Sequence, residues 1–96
     1  MTTPDVSVVV PCYNEADNVP LLFARIDAVF AGLPESCEIL FVNDGSTDGT
    51  RAAMDALAAA HPHFHAVHLA RNFGQSAALI AGMRRARGEY LLTLDG

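Results

Sequence analysis

Four short apolar runs alternate with three longer stretches of helical periodicity, and few architectures accommodate that order. Residues 6–11 (VSVVVP), 38–43 (EILFVN), 64–70 (FHAVHLA) and 90–94 (YLLTL) read as strands. The first two are continuously apolar rather than alternating, as strands covered on both faces require. Between them, Val19, Leu22, Phe23, Ile26, Val29, Phe30 and Leu33 recur at spacings of three and four. Asp17 or Asn18 can cap this amphipathic helix, and Gly32-Leu33-Pro34 stops it. An alanine-rich helix ends before Pro62. Ser76 can cap a third, which carries Leu79, Ile80, Met83 and Ala86 on one side and has Gly88 as its C′ residue. Strand-helix alternation of this kind predicts an α/β domain, a parallel sheet with helices on both faces and no linker or second domain.

The chain has 96 residues, 51% of them apolar, which allows one core but is small for an enzyme. Arg25 and Asp27 interrupt the longest apolar-rich stretch, so none approaches the roughly 18 uninterrupted apolar residues of a membrane span. The first five residues carry an acid and no basic region, unlike a secretory signal. A cytoplasmic protein is expected. The net charge of −5 and the absence of lysine argue against nucleic acid, whose phosphates need clustered cations. Arg84, Arg85 and Arg87 fall in the last turn of the third helix, where cations meet free carbonyls. Cys12 and Cys37 are expected at opposite ends of neighbouring strands, too far apart for a disulfide, and hence as free thiols.

In a parallel α/β sheet, ligands bind beyond the carboxyl ends of the strands. The residues there are polar: Cys12-Tyr13-Asn14-Glu15, Asp44-Gly45-Ser46, Arg71-Asn72 and Asp95-Gly96. Converging carboxylates repel an anionic ligand unless a hard cation such as Mg2+ or Mn2+ intervenes, and a metal-bridged diphosphate fits that description. Ser46 and Asp48 precede a helix and are expected to cap it. Asp44 and Asp95 stand directly on strand ends, with no cap to make before the turn closes. No G-x-G-x-x-G or P-loop follows the first strand, which removes the usual dinucleotide and nucleoside-triphosphate devices. The residues from Asp44 to Asp55 imitate EF-hand spacing, but a strand precedes them where an EF-hand needs a helix. His61, His63, His65 and His68 read as a solvated approach to an edge strand, with His63 and His65 on one strand face; no acid or cysteine stands beside them at metal-ligand spacing.

Three ordered blocks carry a resemblance. Residues 8–15 (VVVPCYNE), 42–50 (VNDGSTDGT) and 95–96 (DG) resemble family 2 glycosyltransferases of the GT-A fold. Residues 69–75 (LARNFGQ), with Ala81-Gly82 and Arg87-Gly88-Glu89-Tyr90, are similar to the branch that loads sugars onto polyprenol phosphates, such as dolichol-phosphate mannosyltransferases. The resemblance implies a Rossmann-like sheet of strand order 3-2-1-4, Glu15 and Asp95 flanking a crevice, and Asp44 on the adjacent strand. It implies that Pro11, Tyr13 and Glu15 line the base and ribose pocket and that Asp44 accepts a hydrogen bond from the base. Asp95 corresponds to the first acid of the D-x-D element, which holds the ribose and the Mg2+ or Mn2+ ion. Arg71 either offsets diphosphate charge or pairs with a neighbouring acid.

The implied reaction is inverting transfer of a sugar from a UDP- or GDP-sugar to an acceptor such as a polyprenyl phosphate, at the cytoplasmic face of a membrane. The second acid, at position 97, the acceptor pocket and any membrane helices are then expected downstream. Residues 1–96 would form the N-terminal nucleotide-sugar-binding part of an incomplete domain, without catalytic residues of its own, nearly inactive alone and open along its fourth strand. The alternative is a non-catalytic α/β module that binds nucleotides or other proteins.

Overall fold

The computed structural model describes residues 3–94. Seven elements follow one another: β1 (Val6–Cys12), α1 (Asn18–Ala31), β2 (Cys37–Asn43), α2 (Thr50–Ala60), β3 (Phe64–His68), α3 (Gln75–Arg85) and β4 (Tyr90–Thr93). The strands form one parallel sheet in the order β3-β2-β1-β4, as the resemblance implies.

The two-sided burial anticipated for β1 and β2 is present, with Val8, Val9, Val10, Ile39, Leu40, Phe41 and Val42 all essentially inaccessible. Alternation sorts them onto two faces. Val8, Val10, Cys12, Ile39 and Phe41 meet Val19, Phe23 and Ile26 of α1 and Met54 of α2. Val9, Leu40 and Val42 meet Ala78 of α3 on the other face. Cys12 and Cys37 end up at opposite ends of paired strands as free thiols.

The packing side of α3 agrees with expectation only in part: Leu79 and Ala86 pack against the core, whereas Ile80 and Met83 do not. Ala78 and Gly82 are its buried residues, whereas Ile80 and Met83 are 51% and 46% exposed. The helix lies so close to the sheet that a Cβ on Gly82 would be 2.4 Å from Val9 Cγ1, so small residues, not bulky ones, form the seam. Its ends differ too. Gly74 occupies the N-cap position and Ser76 lies in the first turn, while the cap at the other end is Ala86 in extended conformation, two residues before Gly88. Gly88 instead fits against β1, where a Cβ would meet the backbone nitrogen of Ser7 at 2.6 Å. At α1, Asp17 holds the N-cap position but its side chain caps nothing, and the carbonyl of Glu15 accepts from the backbone N–H groups of Asn18 and Val19.

The amino-terminal rim of the sheet is fastened by a buried carboxylate. Glu38, 3% exposed, accepts from the Ser7 hydroxyl and from the Arg87 backbone N–H, both at 2.6 Å. Ser7 Oγ accepts in turn from Gly88 N–H at 2.7 Å, so β1, β2 and the approach to β4 are tied together. His65 Nε2 and Arg87 Nε stand 3.5 and 3.7 Å from the other carboxylate oxygen. His63 and His65 therefore do not share a strand face: His63 precedes β3 and meets Asp27 of α1 at 2.7 Å. His68 bridges Asn43 and Asp55.

Candidate functional site

The loops that leave β1 and β2 are sewn together across the carboxyl-terminal rim. Asn14 adopts a left-handed conformation (φ 51°), one of the few side chains that tolerates it. Its Oδ1 accepts from Thr47 N–H at 2.8 Å, and its own N–H donates to Ser46 Oγ at 2.9 Å. Glu15 N–H donates to Thr50 Oγ1 at 2.9 Å, and Asp48 accepts from Ala16 N–H and Thr50 N–H. Hydrogen bonds from Thr50 above all hold the Asp48 carboxyl below its ordinary range. Asp48 thus caps the entry to α2 as expected, whereas Ser46 serves the neighbouring loop instead. These bonds fix the backbone on both sides of Tyr13 and Glu15 without using either side chain.

A third wall comes from the segment ahead of α3. Asp44, 4% exposed, accepts from Phe73 N–H at 2.8 Å through Oδ1 and from Gly74 N–H at 3.0 Å through Oδ2. The expectation that this acid has nothing to cap is thereby corrected: it caps the backbone leading into α3. Gly45 (φ 71°) makes the close approach possible, because a Cβ there would stand 2.2 Å from the Arg71 carbonyl carbon and 2.3 Å from Asn72 N.

The three walls enclose a cavity of about 400 Å³. Pro11, Tyr13, Glu15 and Asp44, four of the residues singled out from the sequence, line it together. Glu15 and Asp44 thus face one space. Arg71 is not among the lining residues; its guanidinium lies 4.8 Å from the centroid of the Phe73 ring. Asp95 lies outside the described residues. Cys12, Asn72, Gly74 and Gln75 complete the lining. Cys12 and Asn72 were legible from their places at strand ends, Gly74 and Gln75 only as part of a family block. Burial, then the charge of Glu15, push the Cys12 thiol up to about 12, so it is protonated and unreactive at neutral pH.

A divalent cation fits this rim only in part. Glu15 supplies a hard oxygen donor of the type Mg2+ and Mn2+ accept, but both Asp44 oxygens already hold N–H donors. Among the described residues, no three His, Cys, Asp or Glu side chains gather at metal-binding distance. They do not make a metal site by themselves.

Comparison with known proteins agrees with the fold. Among curated relatives, undecaprenyl-phosphate 4-deoxy-4-formamido-L-arabinose transferases are 45% identical over 91 residues in Klebsiella pneumoniae subsp. pneumoniae and 42% in Aeromonas hydrophila subsp. hydrophila. Each alignment covers 94% of this chain and 28% of the relative, so the chain spans less than a third of their length. Among solved structures, a mannosyltransferase from Pyrobaculum calidifontis in complex with GDP-Man and Mn2+ superposes with a TM-score of 0.76 at 32% identity, over 99% of this chain and 28% of that one. S. aureus TarS in complex with UDP gives a TM-score of 0.77 at 24% identity, over 95% and 27% of the two chains, and speaks for the fold alone. The sequence profile of Glycosyl transferase family 2 matches residues 7–96, which is nearly all of the sequence, and the chain belongs to that family.

Proposed function

We propose that this chain is the nucleotide-sugar-binding part of a transferase that moves a sugar, with inversion, from a UDP- or GDP-sugar to a polyprenyl phosphate. The observation that supports it most is the cavity at the strand ends, where Pro11, Tyr13, Glu15 and Asp44 share one polar space of nucleoside size. Tyr13, 46% exposed, lines this space, and in this reading its ring stacks on the base. In this reading Glu15, on the fixed β1 loop, accepts from ribose hydroxyls.

The relatives' names favour a polyprenyl phosphate acceptor, and the Pyrobaculum complex favours a metal-assisted donor site. In this reading Asp95 holds Mg2+ or Mn2+, which when bound would offset charge on the departing nucleoside diphosphate. Arg71, swung from Phe73, would add a second positive charge. An acceptor phosphate oxygen is already anionic and needs no strong base to attack the anomeric carbon. Residues 1–96 form one incomplete domain, working at the cytoplasmic face of a membrane through parts beyond it. No helix among the described residues is long and apolar enough to cross a membrane.

Calorimetric titration with UDP and GDP, with and without Mn2+, tests the reading. Binding is expected to strengthen with Mn2+. Tyr13→Ala should weaken it by about 1–3 kcal/mol, the usual worth of one base stacked on an aromatic ring. Absence of binding at millimolar nucleotide, or full affinity in Tyr13→Ala, would overturn the assignment of this cavity.

A further inference from the structure

The geometry points to His68 as a positioning residue: held as one tautomer between Asn43 and Asp55, it fixes the turn after β2 that forms part of the nucleotide cavity. This rests on the nucleotide-binding reading and adds to it a residue that does not line the cavity.

The proton positions follow from one backbone group. Ser46 N–H donates to Asn43 at 2.9 Å, so the amide atom facing it is the carbonyl oxygen, Oδ1. The other end of that amide, Nδ2, faces His68 Nδ1 at 3.1 Å. Nδ2 can only donate, so Nδ1 presents its lone pair. The ring proton is left to Nε2, which donates to Asp55 Oδ1 at 2.7 Å. A backbone donor at one end and a carboxylate acceptor at the other thus demand the same tautomer. The second Asp55 oxygen faces Arg51 Nε at 3.9 Å. Asn43 is 3% exposed, which keeps bulk water from replacing His68 as the acceptor of its amide.

The chain of bonds continues into the cavity wall. Ser46, whose N–H is held by Asn43, offers its Oγ to Asn14 N–H, and Asn14 Oδ1 accepts from Thr47 N–H. Asn14 stands between Tyr13 and Glu15, and Asp44 lies within the turn that Asn43 and Ser46 close, so the path from α2 ends at three residues that line the cavity.

Two variants separate this role from packing. His68→Leu fills the space but gives the Asn43 amide no acceptor, which frees it to turn and release Ser46 N–H. Asn43→Asp keeps an oxygen for Ser46 N–H but sets a second oxygen against His68 Nδ1, so that nitrogen must carry a proton.

The test combines nitrogen-15 resonances of the His68 ring at about pH 8, where a free imidazole is uncharged, with backbone amide exchange and UDP titration. Expected in the unaltered protein are a bare Nδ1 and a protonated Nε2, and in Asn43→Asp a protonated Nδ1. In His68→Leu the Ser46 and Thr47 amides should exchange about tenfold faster, with those of β1 and β2 unchanged, and UDP should bind about tenfold more weakly, the scale of one buried group left unpaired. A protonated Nδ1 in the unaltered protein, or a bare one in Asn43→Asp, would overturn the proposal. So would unchanged Ser46 exchange in His68→Leu, faster exchange throughout the sheet, or full UDP affinity. If the unaltered protein binds no nucleotide, the functional reading fails while the tautomer and Ser46 exchange still decide the role of His68. Should both variants fail to fold, the unaltered protein decides: a bare Nδ1 with a protected Ser46 amide supports the proposal, and the reverse of either refutes it.

Discussion

Glu38→Ala is expected to cost the domain about 3–5 kcal/mol, a large share of the roughly 5–15 kcal/mol that holds a domain together. The alanine leaves the Ser7 hydroxyl and the Arg87 backbone N–H without their acceptor and opens space under the sheet's amino-terminal rim. Because Ser7 also receives Gly88 N–H, the approach to β4 should loosen with it. Glu38 also makes stability depend on pH. Burial pushes its carboxyl up, but the Ser7 hydroxyl, the Arg87 N–H and the positive charges of His65 and Arg87 outweigh that and hold it below its ordinary 4.5. The unfolded chain therefore binds this proton more readily than the folded one. The stabilisation is complete above about pH 4.5 and is lost as pH falls through the folded value. Urea unfolding at neutral pH and near pH 3 should show a wide gap between the protein and Glu38→Ala at the first and a narrower one at the second. A gap independent of pH would mean that the charge contributes nothing.

Gly45→Ala should be nearly as damaging, at about 2–5 kcal/mol, and should also impair binding. The left-handed backbone alone costs an L-residue about 1–2 kcal/mol. The methyl group would further lie 2.2 Å from the backbone of Arg71, which has no side-chain freedom with which to move aside. Either the loop after β2 or the segment before α3 must shift, and both are walls of the cavity. Thermal unfolding and UDP titration should fall together. Full nucleotide affinity in a destabilised Gly45→Ala would show that the two walls are not coupled.

Local pattern carried the sheet and the order of its elements, because strands buried on both faces must be continuously apolar, as β1 and β2 are. The strand order came from the family blocks, since hydrophobic periodicity does not say which strands are neighbours. On α3, Leu79 and Ala86 pack as read, but Ile80 and Met83 were misjudged because bulk was taken as the sign of burial, when close approach to Val9 and Val42 demanded Ala78 and Gly82. The roles of Ser46 and Asp44 were missed for a different reason. Their partners, Asn14 and residues 73–74, are about thirty residues away, and rules for caps read only a few residues to either side. For Arg71 two roles were open, offsetting diphosphate charge or pairing with a neighbouring acid, and its contact with the Phe73 ring carries no sequence signal.

The most direct test of the nucleotide assignment is a map of backbone and side-chain resonances as UDP, then GDP, is added to the protein. The largest changes are expected at Cys12, Tyr13, Glu15, Asp44 and residues 72–75, around one cavity at the carboxyl ends of the strands. Changes confined to Glu38, His65 and Arg87 on the opposite rim, or none at saturating nucleotide, would contradict it.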